Sequence, residues 1–319
     1  MFRRTVCAAV AALLVAVPAV AQQYTVKVTA IVEHPALDAV RAGAREALEA
    51  RGYDVGEDID WEFQSAQGDV GIAGQIARTF VGESPDVILA IATPSAQAAV
   101  SAARGRVPVI FSAVTDPVDA RLVSSLEAPG GNVTGVSDMT PVDRHIEMML
   151  EAMPGLERLG VPYNPGEANA AVLVERIKAL APEYGLEVVT ASAPSSADVL
   201  AAARSLVGKV DAIYVTTDNT LMSAFESVAQ VGMDADIPVF AADTSVVERG
   251  AAAAAGFDYH DIGLQTGDII ARVLEGEAPG EIPVQFVDRT LLHVNLGAAA
   301  DMGLELPAAF LDGADRVIE

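Results

Sequence analysis

The chain carries one α/β passage twice, and that duplication limits its possible folds more than any single motif. Phe80-Val81-Gly82-Glu83-Ser84-Pro85-Asp86-Val87-Ile88 is echoed by Leu206-Val207-Gly208-Lys209-Val210-Asp211-Ala212-Ile213. Each copy runs through an apolar strand into a polar loop, Thr93-Pro94-Ser95 in the first half and Thr217-Asp218-Asn219 in the second. Each is followed by a proline-bounded strand and another polar loop: Val107-Pro108-Val109-Ile110-Phe111-Ser112, then Ile237-Pro238-Val239-Phe240-Ala241-Ala242-Asp243. The first loops of the two halves also correspond, as Glu33-His34-Pro35 and Tyr163-Asn164-Pro165.

Short continuous apolar runs at residues 26–32, 59–63, 87–92 and 107–111 read as strands. Helical periodicity fills residues 37–51, 70–81 and the stretch from Ser95. The second half has strands at 158–163, 186–190, 212–216 and 237–241, with helices at 167–183, 197–207 and from Thr220. Apolar strands separated by helices predict a parallel sheet covered on both faces. The expected fold class is therefore α/β, with two similar doubly wound lobes and a ligand cleft between them. In open α/β sheets ligands bind beyond the carboxyl ends of the strands, where all of these polar loops fall. Two lobes that turn those edges toward each other make a cleft that hinge closure buries.

The amino terminus reads as a processing signal. Arg3 and Arg4 precede an apolar run at residues 6–17, too short for a membrane span, and Ala19-Val20-Ala21 offers a small-x-small cleavage pattern. Residues 1–21 are expected to be removed, giving a soluble protein of the periplasm with no lipid anchor. The only cysteine, Cys7, leaves with them, and with it any disulfide, thiolate nucleophile or cysteine–zinc site. The formal net charge of -24 excludes nucleic acid and anionic membranes as partners, since both need basic patches. His34, His145, His260 and His293 lack metal-ligand spacing. No G-x-G-x-x-G, phosphate-binding lysine motif or G-x-S-x-G elbow occurs, so neither cofactor nor catalysis is expected.

Several segments resemble the ABC-transporter substrate-binding family that includes tryptophan-binding members. They are Ile31-Val32-Glu33-His34-Pro35-Ala36-Leu37-Asp38, Ala92-Thr93-Pro94-Ser95-Ala96-Gln97, Phe111-Ser112-Ala113-Val114-Thr115-Asp116-Pro117, Pro129-Gly130-Gly131-Asn132-Val133-Thr134-Gly135, Tyr163-Asn164-Pro165-Gly166-Glu167, Thr217-Asp218-Asn219 and Gly256-Phe257-Asp258-Tyr259. The resemblance implies a periplasmic-binding fold with a hinge of three crossing strands. Lobe 1 would comprise residues 22–136 plus about 258–289, and lobe 2 residues 137–257 plus about 290–319. It implies a monomer that hands a small molecule, an amino acid of the aromatic kind among the candidates, to an ABC permease of the inner membrane. A nutrient-sensing receptor subunit would carry the same features, and a secreted α/β enzyme is the remaining alternative.

An amino acid presents a carboxylate, an ammonium and a side chain. The carboxylate wants N–H and hydroxyl donors, which a helix N-terminus supplies. Thr93 and Ser95 around Pro94 fit that role, with Ser112 and Thr115 assisting. The ammonium wants acceptors with negative charge. Asp243 and Asp218 are the favoured residues, Asp116 a further candidate, and Asn164 and Asn219 neutral partners. Glu33 and His34 are expected to wall the cleft. Trp61 and Phe63 alternate on one strand and read as core, whereas Tyr163, Phe257 and Tyr259 lie where one could stack on an aromatic ligand.

Overall fold

A computed structural model describes residues 23–319; the expected leader at 1–21 and Cys7 lie outside the described residues. Thirteen strands form two sheets. The first contains β1 (Tyr24–Ala30), β2 (Ile59–Ser65), β3 (Val87–Ile91), β4 (Val109–Val114), β5 (Val133–Ser137) and β11 (Gln285–Phe286). Its order is β11-β5-β4-β3-β1-β2, and every pairing is parallel. The second contains β6 (Arg158–Tyr163), β7 (Glu187–Ser192), β8 (Ala212–Val215), β9 (Val239–Ala241), β10 (Ala253–Phe257), β12 (Thr290–Asn295) and β13 (Arg316–Ile318). Its order is β13-β12-β10-β9-β8-β6-β7, parallel except for β10 against β12.

Burial follows position in the sheet. Central β3, β4 and β8 are buried at every residue, while edge strands β2 and β7 carry polar side chains into partial exposure. Trp61 and Phe63 of β2 pack against the core of the first lobe, and the Arg41 guanidinium covers the Phe63 ring at 3.9 Å. Prolines trim the expected strands: β4 begins after Pro108 and β9 after Pro238, because proline offers no N–H to the ladder. The expected helix at 167–183 ends as Ala168–Leu180 and tightens into a 3-10 turn, Ala181–Tyr184, around Pro182. The helix expected from Thr220 is broken at Ala224 into Asn219–Ser223 and Phe225–Ala235.

The chain passes between the sheets three times, between Ser137 and Val142, at Asp258, and between Phe286 and Thr290. The second passage sends the helix Tyr259–Leu274 back onto the first lobe, where it lies against the helix Pro35–Ala50. Three glycines permit this contact. A Cβ on Gly43 would lie 2.3 Å from His260 O, one on Gly263 2.3 Å from Val40 O, and one on Gly267 2.4 Å from Ala44 O.

Candidate functional site

The carboxyl ends of both sheets meet across a nearly closed cavity. From the first lobe His34, Leu37, Ala113, Thr115, Asp138 and Tyr259 line it. Asn169, Thr217, Asn219, Met222 and Asp243 close it from the second. Its free volume is about 10 Å³, close to what a single water needs. Two grooves continue from it. One of about 330 Å³ shares Asp243 and Tyr259 and adds Pro35, Ala36, Ala39, Phe257, Leu291 and His293. The other, about 500 Å³ and more polar, shares Asn219 and adds Glu33, Gln67, Asp69, Glu167 and Ser195.

Local backbone geometry aims groups at this space. Ala92 has φ +71° and ψ 155°, and Ala113 has φ +53°. Such conformations cost an alanine free energy and cluster where function demands them. Ala92 turns the chain from β3 straight into the helix Thr93–Ala103, which starts without a side-chain cap. Ala113 sits at a register shift between β4 and β5. A Cβ on Gly135 would lie 1.9 Å from Phe111 O, so only glycine lets β5 come this close.

Polar bookkeeping marks the same region. Six of the nine buried side-chain atoms without a protein hydrogen-bond partner among the described residues lie in or beside loops at these strand ends. They are His34 Nδ1, Thr93 Oγ1, Ser95 Oγ, Asn169 Oδ1, Thr216 Oγ1 and Ser245 Oγ. An unpaired buried polar atom costs about 1–3 kcal/mol, and six of them gather at these strand ends.

Two buried carboxylates face the cavity from opposite lobes. Asp138 accepts from Tyr259 Oη at 2.9 Å and from Thr115 Oγ1 at 3.1 Å. Burial, with the charge of Asp243 nearby, raises its pKa to about 6. Asp243 accepts from Ser245 N at 2.8 Å, and burial raises its pKa too. His34 is pushed down to about 4 by burial and by the positive Arg249, and so is neutral at pH 7.

The residues expected from sequence divide accordingly. His34, Thr115, Asn219 and Asp243 line the cavity, as does Tyr259. Thr93 and Ser95 are buried with unpartnered hydroxyls at a helix start between the His34 loop and the Ala113–Thr115 loop, but do not line the cavity itself. Ser112 is turned away, its hydroxyl 2.6 Å from Thr266 Oγ1. Asp218 caps the helix Asn219–Ser223 through Leu221 N at 3.0 Å and accepts from Asn164 N at 2.6 Å. Asn164 Nδ2 in turn donates to Thr220 Oγ1 at 2.9 Å, so both residues shape the loop rather than the cavity wall. Glu33 is exposed on the polar groove, and Asp116 accepts from Arg176 at 3.0 Å across the seam between lobes. Tyr163 packs against the core of the second lobe.

Sequence reasoning missed Asp138, Glu167 and Asn169. Glu167 takes five hydrogen bonds, from Asn169 Nδ2, Asn219 N and Nδ2, and Thr220 N and Oγ1. It thereby fixes the loop that presents Asn219. Its place in Tyr163-Asn164-Pro165-Gly166-Glu167 was the available signal.

Two α/β lobes shut over a polar cavity at their strand ends define a hinged solute-binding protein. The chain matches the family described as ABC transporter substrate binding protein over residues 25–318, and it belongs to that family. A tyrosine-binding protein of Clostridioides difficile (strain R20291) is 41% identical over 274 residues, 86% of this chain and 79% of that one. The solved structure of an ABC domain from Streptococcus pneumonia in complex with L-Trp is 34% identical. It matches with a TM-score of 0.90, covering 93% of this chain and 100% of that one. The ligand-free, open structure of a substrate-binding protein with adhesive properties from Clostridium difficile is 40% identical, yet its TM-score is 0.69 over 92% and 99%. The relative closer in sequence is the more distant in shape. In this chain, contacts of Thr115 with Thr217 and of Asp116 with Arg176 hold the lobes together over the cavity.

Proposed function

We propose that the protein binds an aromatic amino acid, tyrosine or tryptophan, by closing its lobes on it, and delivers it to an ABC permease. The observation that carries this reading is the pair Asp138 and Asp243, buried on opposite lobes and facing one cavity. Closing two carboxylates on each other is unfavourable, and an ammonium between them converts repulsion into two charge-assisted contacts. Thr115, Thr217 and the start of the helix Thr93–Ala103 are the neutral donors for the carboxylate. The side chain extends into the groove walled by Ala36, Ala39, Phe257 and Leu291, whose 330 Å³ suits an aromatic ring. The two named relatives support this ligand class. Secretion to the periplasm as a monomer, with residues 1–21 removed, completes the reading.

At about 10 Å³ the central cavity admits no amino acid until the lobes part or its lining moves. Ligand therefore binds an opened form and stabilises closure. The test is a thermal-shift series on mature protein stripped of ligand by unfolding and refolding. Ligand at about 100 times its Kd adds about 2.7 kcal/mol of stability. L-Tyr or L-Trp should raise the midpoint strongly, and their analogues lacking the amino group should not. A flat response to every amino acid would overturn the ligand assignment.

A further inference from the structure

A further cavity lies outside the cleft. It is a groove of about 640 Å³ between the helices Val70–Glu83 and Thr93–Ala103 of the first lobe, and Arg78, Arg104 and Arg106 line it. On a chain of net charge -24, cations are scarce, and most are matched with carboxylates. Those without a carboxylate partner among the described residues are Arg78, Arg104, Arg106, Arg121, Arg204 and Lys209. Three of these share the groove. Arg121 belongs to the loop that follows β4, which Gln97 of the groove wall ties down by donating to Ala120 O at 3.2 Å.

Exposed apolar side chains gather on the same side. Val70, which lines the groove, is 59% exposed, and Val118, in the tied loop, is 42% exposed. Guanidinium groups without a carboxylate partner, beside exposed aliphatic side chains, make a surface complementary to an acidic, partly apolar polypeptide. The loop is also coupled to closure. Asp116 accepts from Val118 N and Asp119 N while its other oxygen accepts from Arg176 of the second lobe. Closure thus pins the loop that presents Val118 and Arg121.

We infer that this face docks an acidic extracytoplasmic segment of the membrane permease, with carboxylates on Arg78, Arg104 and Arg106. The inference rests on the transport reading above. The experiment measures how ligand-loaded protein stimulates the ATPase of its permease complex in proteoliposomes. Variants are R78E/R104E/R106E and R78E/R104E, the latter sparing Arg106, whose guanidinium donates to Ala102 O and Ala103 O at the helix end. Both variants should bind ligand as the parent does, but the concentration giving half-maximal stimulation should rise at least tenfold. Added salt should weaken the parent toward the variants. Stimulation by either folded variant equal to that of the parent overturns the docking face alone. Failure of the parent to stimulate overturns the transport reading and this inference with it. A dimer of the loaded parent that charge reversal dissolves also overturns it, by giving the face to a second copy.

Discussion

Burial holds the Asp138 carboxyl at a pKa of about 6 and raises that of Asp243 as well. In the free protein Asp138 takes up a proton as pH falls through 6. An ammonium ligand needs the ionised form, so affinity should fall as pH is lowered from 7 to 5. If the ligand returns Asp138 to an ordinary carboxylate value near 4, the loss over that range is roughly tenfold. His34, at about 4, stays neutral throughout and adds little to the slope. Calorimetry across this range should show the decline in the parent and a weaker but flatter profile in Asp138→Asn. A parent affinity independent of pH would remove Asp138 from the ligand's charge balance. Asp138 was illegible in the sequence because it lies at a lobe crossing, outside the repeated strand–loop pattern. Asp243 was legible because it ends the second proline-bounded strand, at the place where Ala113 follows Ser112 in the other half. Asp218 shared that legibility and was assigned to ligand, yet it spends its oxygens on Leu221 N and Asn164 N. In sequence an N-cap aspartate and a ligand-binding aspartate look alike.

Two helices deliver cavity residues from their amino-terminal ends: Pro35–Ala50 follows His34, and Tyr259–Leu274 begins with Tyr259. Their mutual approach through Gly43, Gly263 and Gly267 therefore fixes two cavity walls at once. In Gly263→Ala the new methyl meets the Val40 carbonyl, backbone that cannot swing aside, and the helices must separate. Stability should drop by about 1–3 kcal/mol, and ligand affinity should fall with it. Gly160→Ala is the control. Its methyl would meet only the side chains of Leu206 and Val210, inside the second lobe. Urea denaturation should register both variants, whereas calorimetry should register only Gly263→Ala. Equal affinity losses in the two would mean that the helix pair does not position the walls. The strands and helices of the two repeats were legible from apolar periodicity. The helix Tyr259–Leu274 and strand β10 were not assigned, since the Ala251–Ala255 run lacks the β-branched residues that announce a strand.

At the scale of the whole molecule, binding is a competition between open and closed arrangements, and the sequence displayed the two lobes without their balance. That balance depends on contacts between residues remote in the chain. Few are polar: Thr115 Oγ1 lies 3.4 Å from Thr217 Oγ1, and Arg176 reaches Asp116 at 3.0 Å. The ion pair is the better latch to test, because neither side chain lines the cavity. Arg176 is about half exposed and Asp116 less so, which limits the pair to about 0.2–1 kcal/mol. Removing it should reduce the closed-to-open ratio by no more than about fivefold. Only the closed form surrounds the ligand, so affinity should fall by the same factor, chiefly through faster release. Arg176→Ala is the right change, since Asp116 also holds the amides of Val118 and Asp119 and its loss would loosen the loop. Screening supplies an internal check. Salt should lower the affinity of the parent toward that of Arg176→Ala and should move the variant less. Small-angle scattering of the ligand-free proteins should show the variant more expanded. Equal affinities with equal salt dependence would leave closure to the buried cavity contacts alone, and the surface pair would then only decorate a seam that the ligand holds shut.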